Sequence, residues 1–146
     1  MQQQAGTIQS VDPPAPVSKT ARWAGYLLSA LPVLMLVMSA TMKFMKPAAA
    51  VEGFAHLGLP ERLALGLGVL ELSCTVIYLI PRTAVLGAIL LTGYLGGATL
   101  AHLRVGDPFI MPAVLGVLVW GGLFLREPRL RDLIPLRRPT AKLERL

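Results

Sequence analysis

Apolar residues recur along the chain in four long runs separated by short breaks of proline, glycine and charge. The first extends from Trp23 to Met42, the second from about Arg62 to Ile80, the third from Thr83 to Leu103 and the fourth from Phe109 to Leu125. A helix rises about 1.5 Å per residue and a bilayer core is about 30 Å thick, so one crossing needs roughly 20 residues. The first three runs meet that length. The fourth is shorter and carries Pro112 near its start. Backbone in lipid must satisfy its own hydrogen bonds, which helices do. The pattern therefore predicts an all-α fold, a four-transmembrane-helix bundle. Lys46-Pro47 closes the first run, Ile80-Pro81-Arg82 turns the second into the third, and Gly106-Asp107-Pro108 turns the third into the fourth. The stretch from Gly53 to Gly58 is expected to be a loop. Pro32 falls inside the first span, where neighbouring helices are expected to tolerate it.

Composition agrees with this division. The 146 residues are 54% hydrophobic and only 15% charged, against about 25% charged in a soluble domain. Three segments follow: residues 1–20 as a flexible tail, residues 21–126 as the membrane domain, and residues 127–146 as a basic tail. Ten cations (Lys19, Arg22, Arg82, Arg126, Arg129, Arg131, Arg137, Arg138, Lys142 and Arg145) fall on the side of the termini. Four (Lys43, Lys46, Arg62 and Arg104) fall on the other. The positive-inside rule then places both termini in the cytoplasm of a multi-pass plasma-membrane protein. The net charge of +6 acts as a topological lock beside anionic lipid. It is not a nucleic-acid surface, because Pro128, Pro135 and Pro139 interrupt the basic segment and no stacking aromatics accompany it. The first span is too long for a signal-peptide core and no clean cleavage site follows it. Cys74 has no second cysteine in the chain, so thiol–disulfide exchange within the chain is excluded.

Few polar residues fall within the spans. Glu71 stands in the middle of the second, in Gly68-Val69-Leu70-Glu71-Leu72. A carboxyl at the bilayer centre is expensive, so it is expected to face the bundle interior. There it serves either as a proton-carrying or ligand-orienting group or as a buried hydrogen bond that fixes packing. Lys43 closes the first span and either snorkels to the interface or reaches back toward Glu71. The two sites are a couple of turns apart in depth, so a direct pair calls for a kink or a water. His102 shares a helix face with Leu95, Ala98 and Thr99 and is a second proton-handling candidate. Arg104 and Asp107 are expected to pin the turn that follows. Gly93 and Gly97 form a G-x-x-x-G that permits close helix packing, with a neighbour in the same bundle preferred over a second copy. His56 and His102 both fall on the outer side, but two histidines make a poor metal site, and no metal site is assigned.

Several of these motifs together resemble the DoxX-like family of small bacterial membrane proteins. They are Ser39-Ala40-Thr41-Met42-Lys43-Phe44, Gly68-Val69-Leu70-Glu71-Leu72, Leu79-Ile80-Pro81-Arg82-Thr83, and the block from Gly97 through His102 and Arg104 to Asp107-Pro108. The resemblance covers about residues 20–126. It implies a four-helix protein of the bacterial inner membrane with a link to quinone or sulfur redox chemistry, since the family's name-giving member resembles a small subunit of a thiosulfate:quinone oxidoreductase. Lys43, Glu71 and His102 match family positions. Three functions fit. One is the small membrane subunit of a redox complex, with no intrinsic cofactor, a quinone or other apolar ligand near Glu71 and a redox partner protein. Another is an accessory or assembly protein without catalysis. The third is a transporter of a small solute or proton. Lipid is the common partner, and a homo-oligomer is compatible with all three.

Overall fold

The molecule is described from a computed structural model, in which residues 18–133 are placed. Among them the regular structure is helical throughout: α1 (Lys19–Met45), α2 (Ala48–His56), α3 (Leu63–Leu79), α4 (Ala84–Arg104), α5 (Ile110–Arg126) and α6 (Pro128–Leu133). The expected flexible segment lies outside the described residues up to position 17, and the basic tail lies outside them from position 134 onward.

Four long helices, α1, α3, α4 and α5, form a closed ring. α1 packs on α3 and α5, and α4 packs on the same two helices from the opposite corner. Short connections make successive long helices antiparallel. Two of the four, α1 and α4, are long and apolar enough to cross a membrane; α3 and α5 are apolar helices of 17 residues each.

One expectation needs correction. The segment before Leu57 is not a loop: Ala48–His56 is helical, because Pro47 sets the chain at its N-cap and a run of alanines follows. The basic tail begins with a turn of helix, Pro128–Leu133, which starts on proline, a favoured first helical residue, and buries Leu130. Pro32 is buried inside an unbroken α1, as expected.

Burial follows one stripe per helix. On α1 it runs through Gly25, Ser29, Pro32, Leu36 and Ala40, a three-and-four spacing that keeps one face inward. Small residues let backbones meet along these stripes. A Cβ on Gly25 would lie 2.8 Å from the carbonyl of Gly122, and one on Gly87 would collide with the backbone of Tyr78. Large apolar side chains point outward instead: Trp23, Leu27, Leu34 and Met38 on α1, Leu65 and Val69 on α3, Leu86 and Leu100 on α4, and Ile110 and Val117 on α5 are all exposed.

Candidate functional site

The α1 stripe continues past Ala40 to Lys43, which directs this lysine inward rather than to the interface. Its neighbour across the ring is Gly68 of α3. A Cβ on Gly68 would sit 3.2 Å from the Cβ of Lys43 and 2.9 Å from the ring of Phe44, so only glycine lets the helices come this close. Lys43 is thereby level with Gly68, three residues or about 4.5 Å along the axis from Glu71. Its four-carbon arm covers that distance. Nζ donates to Glu71 Oε2 at 2.9 Å and to Ser39 Oγ at 2.6 Å. The expected gap of a couple of turns does not exist, and the pair forms directly, with no bridging group between the two side chains.

Glu71 is only 2% exposed and Lys43 15%. Two desolvated charges are tolerated when each meets the other and further hydrogen bonds, as here. Tyr94 of α4 faces the same carboxylate and interacts with it electrostatically. Cys74 lies one turn along α3 from Glu71 and is buried, and Thr75 Oγ1 donates to the Glu71 carbonyl at 2.8 Å. A proton passing from Nζ to the carboxylate would neutralise both groups. That internal transfer leaves the pair's net charge at zero, whereas a proton gained from or lost to the surroundings leaves one charge that Tyr94, Ser39 or a further group must stabilise.

His102 does not join this cluster. It lies eight residues beyond Tyr94, about 12 Å further along α4. Its Nδ1 is 3.5 Å from Asp107, which also meets His56 Nε2 at 3.0 Å. The His56 hydrogen bond leads the effects that hold the Asp107 carboxyl below the ordinary carboxylate range. Arg104 donates to the Leu57 carbonyl, so Arg104 and Asp107 both tie the end of α4 to the end of α2. Among the described residues no group of three His, Cys, Asp or Glu side chains is arranged to hold a metal ion.

Gly93 and Gly97 face away from the bundle. A Cβ on either would meet nothing within 4 Å, so the expected packing inside the ring does not occur. The glycines that bring helices together are Gly25, Gly68, Gly87 and Gly122. Nor does the sequence pattern mark Tyr94; the available signal was its place one turn after the core residue Leu91.

Two spaces adjoin the ring. A void of about 10 Å³ lies beside Lys43 under α2. An open groove of about 630 Å³ runs between α4 and α5, past Leu95, Gly96, Gly116 and Trp120. In it Trp120 Nε1 donates to Thr92 Oγ1 at 2.8 Å.

The fold and the site define a class: a small, strongly apolar helical bundle with one buried acid–base pair. A model of the DoxX-like family matches residues 27–122, well over half of the chain, and the protein belongs to that family. Family and apolar helices together point to a membrane protein. No curated protein and no solved structure matches the chain.

Proposed function

We propose that all four long helices span the membrane and that the protein is the small membrane-embedded subunit of a redox complex, in which Lys43, Glu71 and Tyr94 handle protons. The buried Lys43–Glu71 pair carries this reading. A desolvated ion pair is a weak source of stability, since packed apolar residues often do as well or better, so its presence inside an apolar bundle favours chemistry. The membrane placement draws support from the inverted surface. Even the 17-residue helices α3 and α5 present large apolar side chains outward, a face suited to lipid and poorly suited to water. The charge asymmetry supports termini on the cytoplasmic side of what we read as a bacterial inner membrane, with α2 on the outer side.

Electrons would come from a partner protein. Glu71 is 2% exposed and the void beside Lys43 is about 10 Å³, far smaller than a quinone ring, which argues for a quinone site elsewhere. Any quinone taken by this chain would lie in the α4–α5 groove, which has ligand-like volume and an almost wholly apolar wall. No proton step is assigned between that groove and Glu71.

The test is affinity purification from native membranes in mild detergent, with mass spectrometry of proteins and lipids. A stoichiometric redox partner is expected. Recovery of the chain alone with bulk lipid would sink the reading. The second reading, an accessory protein without catalysis, is favoured by one observation: the buried carboxylate is already neutralised by Lys43. It predicts that Glu71→Gln keeps both partner and phenotype, whereas the redox reading predicts that the partner stays and turnover is lost.

A further inference from the structure

The void beside Lys43 stands between the buried pair and the surface. Lys43 of α1 and Lys46 just after it, Val51 and Phe54 of α2, Glu61 just before α3 and Ala64 in its first turn line it. A space of about 10 Å³ accommodates roughly one water when polar partners are at hand. Here the wall is apolar, so with α2 in place the space is a dry plug between Lys43 on the inner side and Glu61 on the outer side. Glu61 is 53% exposed and pairs with Lys46 at 3.1 Å. Moving α2 aside would remove that plug and open a path from bulk solvent past Glu61 to Lys43 and on to Glu71.

The roof of that path is α2, the least anchored helix of the ring's surroundings. It has nine residues and none is buried. It is absent from the helix pairs that pack closely, and a helix of this length is marginal without tertiary support. The chain enters and leaves it through left-handed residues, Lys46 (φ 47°) and Gly58 (φ 66°). A Cβ on Gly58 would also press within 3.2 Å of the Arg104 guanidinium. The far end of α2 is held by polar contacts instead of packing. His56 meets both oxygens of Asp107 at 3.0 Å, His102 approaches the same carboxylate, and Arg104 caps the Leu57 carbonyl.

We propose that α2 is a latched lid: water and protons reach Lys43 and Glu71 from the α2 end of the bundle, by way of Glu61, when the His56–Asp107 latch opens. The proposal rests on the proton-handling reading for its purpose, but access under α2 is measured without any redox partner, so either idea can fail alone.

The experiment uses the full chain in lipid nanodiscs, which leave both faces open. Cys74→Ala removes the native thiol and Ala64→Cys places a new one on the wall of the void. A charged maleimide should label Cys74→Ala/Ala64→Cys slowly. Adding Asp107→Asn or His56→Ala should speed labelling about tenfold, the behaviour of a locally opening segment. Adding Glu127→Gln at the other end of the bundle should leave the rate unchanged. Equal rates in the parent and both latch variants would overturn the lid. Hydrogen exchange on the unsubstituted protein provides a check that depends on no variant. The amides of α2 should exchange well ahead of those of α3 and α4, and protection of α2 equal to theirs would also overturn it.

Discussion

The two ends of the bundle are closed by different physics. At the end near the termini, backbones touch. Gly25 abuts Gly122, Gly87 abuts Tyr78, and the hydroxyl of Tyr78, a fully buried residue, shares a hydrogen bond with Ser29 Oγ at 2.8 Å and donates to the Val119 carbonyl at 2.9 Å. Arg126 lies 4.8 Å above the Tyr78 ring and 5.5 Å above that of Tyr26, within cation–π range. At the α2 end the helices meet through an ion pair, a water-sized void and an unburied lid. Close backbone packing suits a fixed joint, because it has no second arrangement of similar energy. A paired charge beside a void suits a place where protons and water move. The comparison assigns stability to one end and chemistry to the other.

The strongest attack on the fixed end is Gly87→Val, which drives a branched side chain into the Tyr78 backbone. It should lower stability by about 3 kcal/mol, seen as loss of monodisperse protein when the detergent-solubilised chain is heated. At the α2 end, Lys43→Met strands the buried carboxylate and should remove about 3 kcal/mol. Glu71→Gln should remove less, since Lys43 is the more exposed partner at 15% and can turn toward the interface. Combining Lys43→Met with Glu71→Leu should restore most of the loss while abolishing turnover. If the double variant stays as unstable as Lys43→Met, the pair belongs to the fixed joint and the comparison breaks.

Tyr78→Phe removes both buried hydroxyl contacts at once and should lower stability by about 1–2 kcal/mol without touching turnover. Acid sharpens the contrast in a different way. The His56 contact holds the Asp107 carboxyl below its ordinary range, so the carboxyl's own contribution to the latch is fully present above the ordinary carboxylate value of about 4. It is lost as pH falls through the lowered value. Hydrogen exchange in α2 should accelerate there before exchange in α5 does, and Asp107→Asn should abolish that acid step. The smallest effect is expected on the outward face. Gly93→Ala should raise helix stability by at most about 1 kcal/mol, because nothing adjoins it. A loss of stability or of oligomer instead would show that this face meets a second chain.

The helices of the ring were legible because each long apolar run is bounded by proline, glycine or charge. Glu71 was legible because a carboxylate in such a run is too costly to leave facing lipid. Lys43 was legible as a candidate and not as a partner: its depth relative to Glu71 depends on Gly68, whose missing side chain draws α1 against α3. His102 shows the reverse case. Periodicity placed it on a face with Leu95 and Thr99, but a face carries no depth, and its height beside Asp107 keeps it from Glu71. The G-x-x-x-G at Gly93 and Gly97 was legible as a motif, yet four other glycines make the close contacts.

Sequence alone determined the helical class, the spacing of the apolar runs, the asymmetry of charge and the presence of an acid that must be sheltered, because these follow from periodicity and from the cost of polar groups in apolar surroundings. Tertiary structure alone decided that Lys43 pairs with Glu71, that Tyr94 faces the same carboxylate, and that His56 and His102 are drawn to Asp107. Those outcomes depend on how closely and at what height separate helices meet, and small residues far apart in the chain set both.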